Sequence, residues 1–190
     1  MLEIDIFFII SLLLFFTGFI SGILAGLFGI GGGIIIVPVI YHLFNFLDFS
    51  ENISMHMAIG TSLATIILAS LNSVIEHKKR SCVDISLLDK WKYTILFGSL
   101  IGAILAQLIE GKVLIIFFAF FSFFVGLRMF FTKPYSIKTY NFLKSIQKII
   151  SFLISTVSSL LGIGGGTLSV PLLLSCGRNM KTAVGTSSGI

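Results

Sequence analysis

Long apolar runs, broken by glycine and by short charged loops, set the plan of this 190-residue chain. Apolar segments cover residues 6–28, 34–46, 57–75, 93–109, 113–131, 149–161 and 167–175, and a further one begins near Ala183. Their apolar positions are continuous rather than alternating, which predicts helices and argues against a barrel of period-2 strands. Roughly 18 or more uncharged residues are needed for a helix to cross a hydrocarbon core of about 30 Å. The segments at 34–46, 149–161 and 167–175 fall short of that. Glycine and proline flank them, so they read as broken or re-entrant helices, tolerated only inside a helical bundle or beside a cavity.

Composition supports the same plan. Apolar residues make up 56% of the chain and charged residues only 11%, and the mean hydropathy is +1.07. A soluble domain could not cover its surface with so few polar groups. The predicted fold class is therefore all-α, a polytopic transmembrane bundle. The first segment lacks the positive flank of a signal peptide, carrying Glu3 and Asp5 instead, and reads as a retained span.

The net charge of +5 does not imply a nucleic-acid partner, because the basic residues lie in short loops beside the spans. Residues 76–92 hold Lys78, Lys79, Arg80, Lys90 and Lys92; residues 132–148 hold Lys133, Lys138, Lys144 and Lys148 and no acid. Both loops are expected to face the cytoplasm. Segments 93–109 and 113–131 then form a hairpin turning outside at Glu110, Gly111 and Lys112.

Two sequence blocks recur. Residues 29–39 (GIGGGIIIVPV) align without gaps on residues 162–172 (GIGGGTLSVPL), with seven of eleven positions identical. Each copy is followed by an echo, AIGTS at 58–62 and AVGTS at 183–187. Matched blocks in one order read as an internal duplication. The domain plan is then a first repeat with its following hairpin at 1–131, a basic loop at 132–148, and the start of a second repeat at 149–190. The linker between blocks in copy one holds Asp48 and Glu51 and no base; its counterpart holds Arg178 and Lys181. That difference favours copies inverted across the membrane, while a parallel pair stays open if a glycine block lies mid-span.

Three consecutive glycines are poor helix material, each costing about 1 kcal/mol against alanine. A break inside the bilayer persists only where something satisfies the freed N–H and C=O groups. The helices that restart beyond the breaks, with Pro38 and Pro171 in their early turns, would aim N–H groups and a positive dipole end at a ligand, a geometry suited to anions. The candidate substrate-lining residues are Gly29, Gly31, Gly32, Gly33 and Pro38, with Gly60, Thr61 and Ser62. Their second-copy counterparts are Gly162, Gly164, Gly165, Gly166 and Pro171, with Gly185, Thr186 and Ser187. The competing reading is close helix packing, which is how Gly18, Gly22, Gly26, Gly98 and Gly102 are read. For the hydroxyls it is a bond back to the carbonyl one turn earlier.

Other matches carry less. Residues 185–189 fit G-x-S-x-G, but neither a preceding strand nor a downstream histidine accompanies them. His42, His56 and His77 share no ligand spacing, Cys82 and Cys176 form no metal-like pair, and Arg128 reads as snorkelling to the interface. No catalytic residue, metal or cofactor is expected.

With these blocks in place, the sequence resembles the TauE/SafE sulfite exporter family of membrane transporters. The likeness rests on the duplicated Gly-x-Gly-Gly-Gly-x-x-x-x-Pro and Ala-x-Gly-Thr-Ser segments, and on His77, Lys78, Lys79, Arg80, Val83 and Asp84 after the first copy. It implies secondary transport of sulfite, an organosulfonate or a related small anion, by a non-enzymatic protein of the inner or plasma membrane. Its partners would be that anion and the lipid bilayer. The alternative is a membrane scaffold whose glycines only pack helices. The resemblance also implies a longer chain, since counterparts of residues 63–131 are missing from the second copy.

Overall fold

The computed structural model describes residues 2–28, 31–131 and 140–190, with side chains described at 7–27, 31–127 and 147–190. Among the described residues there are eight helices: α1 (Leu2–Phe28), α2 (Gly33–Phe46), α3 (Glu51–Lys79), α4 (Ile85–Leu108), α5 (Gly111–Phe131), α6 (Tyr140–Leu161), α7 (Gly166–Ser175) and α8 (Met180–Ser187). No strand occurs among the described residues. Helices α1, α3 and α4 are long and apolar enough to cross a membrane, while α2 and α7 are short and apolar. The protein is an integral, multi-pass helical membrane bundle.

Helix ends extend beyond the apolar segments. α3 begins at Glu51 and runs to Lys79, and α4 begins at Ile85, so the loop expected over 76–92 contracts to residues 80–84. α6 likewise starts at Tyr140, inside the expected 132–148 loop. The physical reason is that a helix already nucleated in the apolar region propagates one hydrogen bond per residue, and charged residues at its end are solvated without breaking it. Asp84 caps α4 by accepting from the Leu87 N–H, and Asn179 caps α8 through the Thr182 N–H, both ordinary N-cap chemistry. The turn at Glu110 lies where the sequence places it, directly before α5. Lys133 and Lys138 lie outside the described residues, as do the side chains of Arg128 and Lys144.

Two buried clusters hold the helices together. The first joins Val37 and Ile40 of α2, Met55, Ala58 and Ile59 of α3, and Leu114 and Phe118 of α5. Leu161 at the end of α6 and Ile163 of the second glycine block complete it. The second cluster gathers Leu87 and Trp91 of α4, Ile154 of α6, Val170, Leu172 and Leu173 of α7, Cys176 and Ala183. The second glycine block contributes to both clusters, through Ile163 to the first and through Val170 and Leu172 to the second.

α4 and α6 are joined through small residues. A β-carbon added at Gly98 would strike the Ser155 hydroxyl and lie 2.6 Å from the Phe152 carbonyl oxygen, and one at Gly102 would strike the Thr156 carbonyl. Hydroxyls stitch the seam: Thr94 meets Ser151 at 2.8 Å and Ser159 donates to the Ser99 carbonyl at 2.8 Å. Lipid supplies no hydrophobic drive between helices, so close backbone approach and such bonds are what hold membrane helices together.

The ends of the bundle separate the two linkers. At one end, Asn52 Oδ1 accepts the Gly111 N–H and Glu51 faces Lys112 at 3.9 Å, which puts the first linker beside the α4–α5 turn. At the other end, Arg178 pairs with Asp84, which puts the second linker beside the 80–84 loop. α3 spans between these ends, roughly 40 Å at 1.5 Å per residue. α3 and α8 therefore start from opposite ends.

Candidate functional site

The two glycine blocks meet. A β-carbon added at Gly31 would lie 2.7 Å from the Ile163 carbonyl oxygen, and one at Gly33 would collide with the Gly162 carbonyl and lie 2.6 Å from the Ile163 α-carbon. As the first block runs from 31 to 33, its neighbours step back from 163 to 162, so the segments cross antiparallel. Only residues without a β-carbon allow this approach.

The local backbone repeats across the crossing. Gly31 has φ +77° and Gly164 has φ +79°, the left-handed region that favours glycine. Gly32 and Gly165 follow at φ −69°, ψ −20° and φ −64°, ψ −20°, as N-caps of α2 and α7. Pro38 and Pro171 then stand at the same register inside those two helices. Gly29 lies outside the described residues.

Serine hydroxyls donate to three carbonyls of the two blocks. Ser62 is fully buried and donates to the Gly162 carbonyl at 2.7 Å. Ser21 donates to Gly32 at 3.0 Å and Ser158 to Gly164 at 3.2 Å. The amide ends of α2 and α7 are treated differently: neither N-cap glycine has a side chain, and no side-chain cap forms. The first turns of both helices thus bring N–H groups and positive dipole ends to the crossing.

The Gly-Thr-Ser blocks divide. Ser62 reaches the crossing, but Gly60 and Thr61 are exposed on the outer side of α3, with nothing within 4 Å of a Gly60 β-carbon and the Thr61 hydroxyl bonded back to Met57. In the second copy, Thr186 is buried and its hydroxyl accepts the Asp84 N–H at 2.9 Å, while Gly185 packs on the Cys82 carbonyl. Ser187 is buried and bonds back to Val184. These residues hold α8 against the 80–84 loop. Ser21 and Ser158 were missed by sequence reasoning, because neither belongs to a repeated block.

Asp84 organises that loop. Its Oδ1 accepts from the Ser86 hydroxyl at 2.7 Å and from the Leu87 N–H at 3.2 Å, and its Oδ2 meets Arg178 as a charge contact rather than a well-angled hydrogen bond. Burial pushes its pKa up, but the Ser86 and Leu87 hydrogen bonds together with Arg178 and Lys90 outweigh burial and hold the carboxyl below its ordinary value of 3.8.

An open hollow of about 420 Å³ lies elsewhere, lined by Asn52, His56, Gln107 and Glu110 among others. Its His56 ring bridges the Asn52 and Ala106 carbonyls at 2.7 and 3.0 Å, tying α3 to the end of α4. The hollow does not touch the glycine blocks, and the crossing is the better candidate because there the buried backbone is broken. No cluster of metal-ligating side chains occurs among the described residues.

The sequence profile described as Sulfite exporter TauE/SafE matches residues 14–190. The chain belongs to the TauE/SafE family. Among curated relatives, a "probable membrane transporter protein" of Haemophilus influenzae is 32% identical over 178 residues, covering 93% of this chain and 67% of the relative. Proteins of the same description from Methanocaldococcus jannaschii and Bacillus subtilis are 30% and 29% identical, covering 94% and 83% of this chain and 67% and 64% of the relatives. The chain spans about two thirds of the length of these relatives. No solved structure matches it. Family membership agrees with the multi-pass architecture, and the relatives are described as transporters rather than enzymes.

Proposed function

We propose that the chain serves secondary transport of a small anion of the sulfite or organosulfonate class, bound where the two glycine blocks cross. The observation that carries this reading is the asymmetry of the crossing: serine hydroxyls satisfy its carbonyls, while the first turns of α2 and α7 have no side-chain cap. A site rich in backbone donors and positive dipole ends, and free of acidic side chains, suits an oxyanion. The family description supports the same class of substrate.

A second reading uses the same glycines only to pack helices, as a scaffold would. The backbone contacts of Gly31 and Gly33 with the second block favour it. Flux through proteoliposomes separates the two. Sulfite, methanesulfonate and acetate are supplied with and without a pH gradient, to the parent and to Gly32→Leu and Gly165→Leu. Transport predicts sulfite or sulfonate flux that falls in both variants. Unchanged flux in variants that keep the native emission of buried Trp91 would sink the site. Absence of flux for every anion, with altered oligomer size in the variants, favours the scaffold.

A further inference from the structure

α7 and α8 form a short helical hairpin that runs from the glycine crossing to the Asp84 end of the bundle and back. α7 leaves the crossing at Gly166 and ends at Ser175. The chain then turns through Gly177, in the left-handed region at φ +79°, and α8 returns over Met180–Ser187. This return brings Ile190 onto the start of α7: a β-carbon added at Gly165 would lie 2.8 Å from Ile190 Cγ2 and 2.9 Å from its carbonyl carbon. The matching glycine of the first copy, Gly32, is met instead by Ser21 of α1 and by Ile36. The chain that leaves α8 therefore covers the second-copy half of the crossing.

Polar contacts pin the hairpin at its turn. Arg178 pairs with Asp84, the carboxylate side chain 12% exposed and the arginine 42%, and the Asp84 N–H donates to the Thr186 hydroxyl at 2.9 Å. Asp84 is itself fixed to α4 by the Ser86 hydroxyl and the Leu87 N–H, whereas Arg178 sits on the glycine-containing turn. The ion pair at the opposite end, Glu51 with Lys112 at 3.9 Å, joins exposed side chains and belongs to the class that contributes little. Removing one partner of a largely buried pair is different, because it leaves the other charge uncompensated. We infer that the Asp84–Arg178 pair is a latch that holds α8 closed over the Gly165 half of the crossing. Its release frees the hairpin to swing about Gly177 and opens the crossing toward the Asp84 end, where the anion enters or leaves. Arg178 is thus a positioning residue, acting through α8 and not by touching the anion. Its role in the transport cycle rests on the transport reading; the latch itself does not.

The test reads the closure of α8 apart from flux. Ser187 is buried and bonds only within α8, to the Val184 carbonyl, so Ser187→Cys reports on that face without touching the latch. In the full chain in lipid nanodiscs, on a Cys82→Ser, Cys176→Ser background, a water-soluble maleimide should label this thiol slowly. Arg178→Gln should speed labelling at least tenfold while the native emission of Trp91 is kept. Arg178→Lys, which retains the charge, should stay within about threefold of the slow rate. Labelling of Arg178→Gln at the slow rate would overturn the latch, as would Arg178→Lys labelling as fast as Arg178→Gln. In proteoliposomes, a latch that must close once in each cycle predicts sulfite flux at least fivefold lower in Arg178→Gln and largely restored in Arg178→Lys. Fast labelling with undiminished flux would overturn its place in the cycle. Absence of flux in the parent would instead remove the transport reading and leave the labelling result to decide the latch.

Discussion

Gly33→Ala probes the crossing with a single added methyl. Its β-carbon would overlap the Gly162 carbonyl oxygen and lie 2.6 and 2.9 Å from the α-carbon and carbonyl carbon of Ile163. All three are backbone atoms, so no side-chain rotation relieves the clash and one block must move off the other. Overpacking of this kind costs about 1–3 kcal/mol. Separating the blocks also stretches the Ser62 to Gly162 bond, a loss of roughly 0.5–1.5 kcal/mol. Alanine regains up to about 1 kcal/mol of helix propensity, and less than that at the first helical position. The net expectation is destabilisation of about 1–3 kcal/mol. Gly60→Ala is the matched control, because it sits in the neighbouring block with nothing within 4 Å and should be neutral or slightly stabilising. Unfolding in mild detergent can be followed by the emission of Trp91, the single tryptophan, which is 2% exposed. A midpoint for Gly33→Ala at or above that of the parent would refute the close crossing, whatever Gly60→Ala does.

Two other measurements probe the end of the bundle where the linker meets the 80–84 loop. Asp84 has a folded-state pKa below its ordinary value of 3.8, so its contribution is fully present above that value and is lost as pH falls through the lower folded value. Unfolding midpoints should therefore drop below about pH 4, and Asp84→Asn should start lower at neutral pH and flatten that decline; an identical acid profile in the variant would remove Asp84 as a cause. The thiols should also differ: Cys176 is 2% exposed and Cys82 is half-buried, so maleimide should modify Cys82 in the native state and Cys176 only on unfolding. Rapid native labelling of Cys176 would contradict the packing of α7 against α4 and α6.

Much of this protein was legible in its residues. Continuous apolar runs specify helices in lipid because every backbone polar group must be satisfied within its own segment, and the Glu110 turn and two of the three short segments were placed on that ground; the third, expected at 149–161, is the end of the 22-residue α6. The repeated GIGGG blocks marked the helix breaks, since three adjacent glycines followed by a proline are poor material for an ordinary helix interior. In the structure Glu51 of the acidic first linker lies beside Lys112, and Arg178 of the basic second linker pairs with Asp84 at the other end. Helix ends were less legible, because charged residues that end an apolar run do not end a helix.

What the sequence could not hold was the meeting of distant segments. Nothing local says that Gly33 touches Gly162, that Ser62 rather than Thr61 turns inward, or that Thr186 accepts the Asp84 N–H. Ser62 and Thr61 are adjacent and chemically alike; the 100° step between them on a helix sends one into the crossing and the other outward. That choice depends on the rotation of α3 against α2 and the second block. Packing of whole helices, not the identity of the residues, decided it.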